Sequence, residues 1–256
     1  METIERDSLT TYLNDYLEIS GFQDYGPNGL QIEGSDNVQS IAFAVSATQE
    51  SVAKAIELGA DTLIVHHGLF WKFHGPRAIT GPFASRVKPL ITNNLNLYGY
   101  HLPLDAHPEV GNAAAIAKKL GLENCEAFGD YKGSPTGIQG SFSKPIQVSK
   151  LSEQLESILS HSIITSERNP KKEIKTLGII TGGANSEWQE ASKKGLDAYL
   201  TGEISEHDWH ESYEAGVSMF AGGHNATEQF GVQELQKHIE NKFKVKTHYI
   251  HSENPA

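Results

Sequence analysis

The chain has 256 residues, of which 38% are hydrophobic, 9% aromatic and 21% charged, and its formal net charge is -11. This length allows one large α/β domain or two domains of about 100 residues each. The acidic balance argues against broad nonspecific binding to nucleic acid, which needs a basic face. The single cysteine, Cys125, excludes an internal disulfide and a metal site built from several thiolates.

The start of the sequence, METIERDSLTTYLNDYLEIS, is acidic and amphipathic, unlike a basic and apolar signal sequence. No apolar run approaches the roughly 18 residues that a membrane-spanning helix needs. We therefore expect a cytoplasmic protein that has no membrane partner.

Strands and helices are predicted to alternate through the first half of the sequence. The apolar segment SIAFAVSA predicts a buried strand, and TQESVAKAIELGA predicts a helix that begins at Thr48. DTLIVHH and LNLYGYH predict two more strands with the helix FASRVKPLITNN between them, and NAAAIAKKLG predicts a helix that ends at Gly121. This alternation indicates βαβ units and mainly parallel sheets, so the predicted fold class is α/β.

The second half is predicted to follow the same plan after a turn-rich segment near Asp130. The predicted strands are KTLGIITGG, LDAYLTGEIS and VSMFAGG, and the predicted helices are SEWQEASKKG, EHDWHESYEAG and NATEQFGVQELQKHIEN. We therefore predict two similar and interdependent α/β lobes at residues 1–130 and 131–256, with no inserted extra domain.

An internal comparison supports this duplication. A shift of 136 residues aligns AIELGADTLIVHHG with ASKKGLDAYLTGEI, and a shift of 123 residues aligns HLPLD with HNATE. In the second alignment, each half carries a histidine followed four residues later by a carboxylate. Because ligands bind beyond the carboxyl ends of the strands in parallel α/β sheets, we expect both halves to face one cleft.

Five side chains at these strand ends are candidate metal ligands: His66, His67, Asp105, His224 and Glu228. Imidazole and carboxylate groups suit iron, zinc or manganese. Five ligands are too many for one metal with an open position, and they fit two divalent ions. Each residue also has a simpler explanation, since histidines at strand ends are often structural and a first-turn glutamate is favoured by the helix dipole.

The segment GEISEHDWHES offers a second candidate cluster. Glu203, His207 and His210 are spaced four and three residues apart, which places them along one helical face. A solvated amphipathic helix explains this spacing equally well. We predict that Glu203 lies near the metal cleft and that His210 lies around it or faces a substrate.

Several of these motifs together resemble the GTP cyclohydrolase 1 type 2 homologues, the Nif-three-like dinuclear-metal-centre proteins. The resemblance covers nearly the whole chain through YGPNGLQIEG, ADTLIVHHGLFW, LYGYHLPLDAHPEVGN, TGEIS and AGGHNATEQFGVQ. It is closest to the compact bacterial members, because residues 125–175 leave no room for the extra domain of some longer relatives. It implies two α/β lobes around a two-metal site, assembled into a homohexameric ring.

The resemblance assigns the metals to the same five residues and places His101 close to them, where it would orient Asp105 or contact substrate. Many relatives have a threonine after this histidine, whereas this chain has Leu102. The implied activity is hydrolysis of a purine nucleotide, in which GTP opens to 7,8-dihydroneopterin triphosphate after hydroxide attack at C8. The predicted proton carriers are His101, Glu203 and His210. The residues predicted to contact phosphates are Lys72, His74 and Arg77.

Two alternatives remain open at the level of the sequence. A non-enzymatic metal-binding or scaffold protein needs the same ligands, and a metal hydrolase of a phosphoester or a peptide needs the same chemistry. No feature of the sequence selects guanine over other substrates.

Overall fold

The computed structural model describes residues 3–256, which contain thirteen strands and nine α-helices. The strands are β1 (Ile4–Glu5), β2 (Gly29–Ile32), β3 (Asn37–Val38), β4 (Ser40–Ser46), β5 (Thr62–His67), β6 (Asn96–Gly99), β7 (Glu123–Phe128), β8 (Gly137–Gln147), β9 (Ile164–Thr165), β10 (Glu173–Ile179), β11 (Ala198–Thr201), β12 (Ser218–Ala221) and β13 (Lys246–Tyr249). The helices are α1 (Arg6–Tyr16), α2 (Gln49–Glu57), α3 (Gly81–Thr92), α4 (Leu102–Ala106), α5 (Asn112–Leu120), α6 (Val148–Leu159), α7 (Trp188–Lys193), α8 (Glu206–Glu214) and α9 (His224–Phe243).

The chain forms two compact units whose boundaries differ from the predicted lobes. The first unit comprises Met1–Leu104 and Gly231–Glu253, and the second comprises Asp105–Phe230 and Asn254–Ala256. The predicted boundary near residue 130 does not coincide with this division for two physical reasons. Strand β7 pairs with β8 of the second sheet, and the C-terminal strand β13 pairs with β4 of the first sheet.

The first unit is built on a five-stranded sheet in the order β13-β4-β5-β6-β2. Strands β13, β4, β5 and β6 are parallel, and only the edge strand β2 is antiparallel to its neighbour. Strands β4 and β5 are buried along almost their whole length because both faces of a parallel sheet are covered. Helix α2 begins after Thr48, whose side chain accepts the Ser51 N–H in a capping box.

The second unit is built on a six-stranded mixed sheet in the order β7-β8-β10-β11-β12-β9. Strands β10, β11 and β12 are parallel, whereas β7, β8 and β9 are joined to the sheet by antiparallel pairs. The α/β class is therefore confirmed, and a mainly parallel sheet is found in the first unit alone. Both units contain three parallel strands connected by helices, which is the order that the predicted duplication requires.

The lengths and compositions of the helices bear on membrane insertion. None of the helices between residues 3 and 256 is both long and apolar enough to cross a membrane.

Candidate metal centre

The first unit brings three histidines together where two neighbouring parallel strands end. His66 and His67 are the last residues of β5, and His101 follows β6. One ring nitrogen of each histidine lies within 4.8 Å of the others. Neighbouring side chains within a strand point to opposite faces, but the strand ends at His67 and the His66 and His67 rings are only 4.6 Å apart between centroids. We call His66, His67 and His101 the three-histidine cluster.

Hydrogen bonds fix the orientation of the two adjacent rings in this cluster. His66 is fully buried, and its Nδ1 lies 2.9 Å from the carbonyl oxygen of Tyr100. The Nδ1 of His67 lies 3.0 Å from the Ser46 hydroxyl. Because a carbonyl oxygen can only accept, Nδ1 of His66 carries the proton and Nε2 carries the lone pair that can bind a metal.

The third ring is held by a buried carboxylate that the sequence analysis did not identify. Oδ1 of Asp24 lies 2.7 Å from Nδ1 of His101 and accepts the Tyr25 N–H. Oδ2 accepts from the Asn28 side chain and from the Leu102 N–H. Burial raises the pKa of Asp24, but the hydrogen bond and charge of His101, with the other donors, outweigh burial and hold it below its usual value.

The second unit contributes two buried carboxylates and a histidine, which we call the carboxylate cluster: Asp105, His224 and Glu228. Asp105 is 6% exposed and Glu228 is 3% exposed, and one oxygen of each lies within 4.8 Å of the other. Glu228 lies one helical turn after His224 on α9, and its Oε2 is 3.1 Å from the His224 Nε2. Asn112 and Thr181 donate hydrogen bonds to Oδ1 of Asp105.

Glu203 orients the histidine of the carboxylate cluster. It follows strand β11, and its Oε1 lies 2.6 Å from Nδ1 of His224. Burial lowers the pKa of His224, but the hydrogen bonds and charges of Glu228 and Glu203 raise it to about 9. A carboxylate on Nδ1 and a ligand position at Nε2 form the arrangement that metal-binding histidines ordinarily have.

Gly182 has no side chain, and the Glu228 carboxylate occupies the space that a side chain there would need. A Cβ atom at this position would overlap Oε1 of Glu228, and the backbone has a φ of +69°, which favours glycine. The neighbouring Gly183 differs, because its Cβ would meet Glu203 and the His224 ring at an ordinary contact distance of 3.5 Å and would overlap neither. The two adjacent glycines therefore form a natural pair for mutagenesis.

We expect Gly182→Ala to lower the affinity for divalent metal by about 10- to 100-fold, the usual cost of disturbing the support of a ligand. The new methyl group would displace the Glu228 carboxylate. Equilibrium dialysis followed by elemental analysis measures the change, and Gly183→Ala is the matched control that should retain wild-type affinity. Equal losses in both variants would contradict this prediction.

Four other residues predicted to act at the site have their own contacts within the protein. His210 is half exposed on α8, and its Nε2 lies 3.3 Å from Glu206 of the same helix. The Lys72 ammonium group donates to the carbonyl oxygen of Asp24, and Arg77 donates to His74. A catalytic role for His210 and phosphate contacts for the other three residues remain predictions.

A small cavity adjoins the three-histidine cluster within the first unit. Phe70 and Trp71 provide aromatic surface, and the Gln31 amide lies between two glycines at which a Cβ would overlap it. The lining residues are Gly26, Pro27, Gln31, His66, Gly68, Phe70, Trp71, Gly99 and His101. The cavity thus combines an aromatic wall with two imidazoles of the cluster.

Each cluster contains residue types that bind divalent cations. Buried carboxylates and imidazoles are the ligands that iron, zinc and manganese share. The hydrogen bonds on Nδ1 of His66, His101 and His224 leave Nε2 as the ligating nitrogen.

The whole chain is similar to known proteins. The family model of Duf34/NIF3 (NGG1p interacting factor 3) matches residues 4–255. A Pyrococcus abyssi protein named GTP cyclohydrolase 1 type 2 homolog is 42% identical over 249 residues, which cover 97% of this chain and 98% of that protein. The solved structure of protein ybgI, described as of unknown function, is 36% identical with a TM-score of 0.90, and a Thermus thermophilus protein of known structure, TTHA1606, is 31% identical with the same TM-score. Both alignments cover 99% of this chain and 100% of the other.

Proposed function

Because the chain belongs to the Duf34/NIF3 family, we propose that it is a hydrolase that depends on two divalent metal ions and acts on a purine nucleotide, with GTP as the first candidate. The observation that carries the metal-binding part is the hydrogen bonding of the histidines. Acceptors on Nδ1 of His66 and His224 would leave Nε2 of each ring for a metal, which supports this proposal. The nucleotide part rests on relatives that carry the name GTP cyclohydrolase 1 type 2 homolog.

The proposed ligands are His66, His67, Asp105, His224 and Glu228. Two ions of iron, zinc or manganese would supply Lewis acidity and lower the pKa of a coordinated water to near neutrality. The dinuclear arrangement is proposed because five ligands exceed the needs of one ion that keeps an open position.

The chain's own residues would orient the ligands and move protons. Asn112 and Thr181 donate to Oδ1 of Asp105 and would hold this carboxylate in place as a metal ligand. Glu203 keeps the proton on Nδ1 of His224, and about half of its side chain is exposed. We therefore assign proton exchange with the substrate to Glu203, which can accept a proton at its second carboxylate oxygen.

Two aromatic side chains lie beside the three-histidine cluster. Phe70 and Trp71 line the adjoining cavity, and the Trp71 ring lies 5.1 Å from the His101 ring between centroids. Aromatic side chains favour stacking against a flat heterocycle. We propose that a purine base stacks on these rings.

Elemental analysis of protein purified without added metal and without a histidine tag tests the metal-binding part. We expect about two divalent ions per chain, as the proposed dinuclear site requires. Metal-free protein that stays empty after incubation with iron, zinc and manganese would favour the non-enzymatic scaffold instead.

The activity is tested separately with metal-loaded protein and GTP. We expect release of formate together with a pterin product. Inactive protein that holds its metals would remove the cyclohydrolase part and leave the metal site, and a panel of nucleotides and phosphoesters would then identify the substrate class.

We also propose that the chain assembles into a homohexameric ring and acts in the cytoplasm. Light scattering should give a mass six times the 28.0 kDa of one chain. The mass of a monomer or a dimer would contradict the ring.

A further inference from the structure

We propose that residues 72–82 form a docking surface for an acidic segment of a protein partner. Phe73 and Ile79 receive the apolar side chains of this segment, and Lys72 and Arg77 receive its carboxylates. We call residues 72–82 the docking loop. This inference is independent of the proposed metal chemistry, and it assigns the two cations to a partner in place of substrate phosphates.

The docking loop exposes large apolar side chains to solvent. Every residue from 72 to 82 is exposed. Phe73 is 70% exposed, which makes it the most exposed large hydrophobic residue within residues 3–256, and Ile79 is 52% exposed. Apolar surface is costly to hydrate, and exposed apolar side chains that lie together mark interaction sites. A partner that covers these two side chains therefore gains free energy from their burial.

The docking loop is held in place by contacts within the first unit. The Phe73 ring stacks on Trp71 with 5.7 Å between centroids and 18° between planes. Lys72 begins a short 3₁₀ turn that ends at His74, and its backbone N–H donates to the carbonyl oxygen of Tyr25. A surface that is already ordered loses little conformational entropy when a partner binds, so more of the contact energy contributes to affinity.

The sequence around the docking loop is basic although the whole chain is acidic. Residues 62–104 contain four lysines or arginines and no aspartate or glutamate, whereas the chain has a net charge of -11. Within residues 3–256, none of these four cations forms an ion pair with a carboxylate, whereas lysines on other helices do. The four are Lys72, Arg77, Arg86 and Lys88. Their positive charge complements an acidic partner.

Two cations of the docking loop are positioned by their neighbours. The guanidinium group of Arg77 lies 4.1 Å over the Phe83 ring and donates to His74. The Lys72 ammonium group donates to the carbonyl oxygen of Asp24 and has two further N–H donors. The planar guanidinium group presents its donors in a geometry that matches a carboxylate. Both cations can therefore bind acidic side chains without first leaving these positions.

The combination of apolar and cationic groups favours a short protein segment over other anions. A nucleic acid takes its affinity mainly from phosphate contacts, which need a broader basic face than this acidic chain offers. An anionic lipid bilayer would repel the acidic remainder of the protein. A short acidic peptide with one or two large apolar residues matches both kinds of group, and the limited area of one loop suits a transient complex.

Selection from a random peptide library displayed on phage, with the full chain as bait, tests this inference. We expect the enriched peptides to combine aspartate or glutamate with leucine, phenylalanine or tryptophan. Fluorescence anisotropy with a synthetic copy of an enriched peptide then measures the affinity, which should fall as salt screens the exposed charges. Metal-free protein should bind the peptide equally well, so a failure of the proposed function leaves this result unchanged.

Substitutions in the docking loop identify the binding surface. We expect Phe73→Ser and Arg77→Gln each to weaken peptide binding by about 10-fold, as for residues that contribute strongly to an interface. Ile79→Ser should weaken binding as well. The matched control is Ile164→Ser on β9 of the second unit, because Ile164 is 56% exposed and Ile79 is 52% exposed. This control should bind the peptide like the wild type.

Thermal melts establish that each variant is folded. Enriched peptides that lack acidic residues, or loop variants that bind the peptide as tightly as the wild type, would overturn the proposal. If no peptide is enriched and Phe73→Ser abolishes binding to phosphatidylserine vesicles or to a single-stranded oligonucleotide, the loop binds that anion instead. A smaller mass for Phe73→Ser than for the wild type in light scattering would show that the loop contacts a second copy of the chain, which would also overturn the proposal.

Discussion

Replacing Glu228 with glutamine should abolish stable binding of at least one metal ion. We expect the affinity to fall by at least about 100-fold, because removal of a residue that only supports a ligand already costs up to that much. Glu228 is 3% exposed and lies 3.1 Å from the ring nitrogen of His224. Glutamine has nearly the same shape but no charge, so a buried cation would lose the anion that compensates it. Equilibrium dialysis and elemental analysis of the folded variant measure the effect.

The matched control for this substitution is Glu234→Gln on the same helix. Glu234 pairs with Lys237 at 2.6 Å on the helix surface, an interaction worth at most about 1 kcal/mol. This variant should hold as much metal as the wild type. A Glu228→Gln protein with unchanged metal content would remove Glu228 from the proposed ligands.

Local sequence patterns were sufficient to predict the parallel strands and their helices. Strands β4 and β5 each contain a short apolar run, and α5 is capped at its C-terminus by Gly121 in the left-handed conformation that glycine favours. The position of His66 and His67 at a strand end followed from the same patterns. These features depend on residues that are close in sequence.

The remaining features depend on pairs that are distant in sequence. Strand β8 contains Pro145 and several polar residues, and it becomes a strand through its antiparallel pairing with β7 and β10. Strand β13 joins the first sheet by pairing with β4, which precedes it by about two hundred residues. No periodic pattern identifies such partners, so the boundary near residue 130 was misplaced.

The residues that support the candidate site could not be predicted from the sequence for the same reason. Asp24 contacts His101 across 77 positions of sequence, and Thr181 contacts Asp105 across 76. An aspartate in a turn-rich segment has the composition of an ordinary loop. The candidate ligands were predicted because they follow strands. The residues that contact them were not, because their positions follow no strand or helix pattern.

The stability of the metal-free protein should fall as the pH rises from about 6.5 to above 9. The raised pKa of His224, about 9 against an ordinary 6.5, means that the folded protein binds its proton more tightly than the unfolded chain does. The resulting stabilisation is fully present below pH 6.5 and is lost as the pH passes through about 9. We expect a loss of about 1–2 kcal/mol after allowance for solvent screening, which lowers the melting temperature by a few degrees.

Thermal melts of chelator-treated protein across this pH range measure the loss, and two histidine variants separate its source. His224→Gln should remove this pH dependence of the melting temperature, because glutamine does not titrate. His210→Gln should preserve the pH dependence. His210 is half exposed, and its ion-pair partner in the described residues is Glu206 on the helix surface. Protein loaded with metal should also lose this dependence, since a ligating imidazole gives up the proton that stabilises the metal-free form. An equal slope in wild type and His224→Gln would show that another group is responsible and that the two glutamates do not hold a proton on His224.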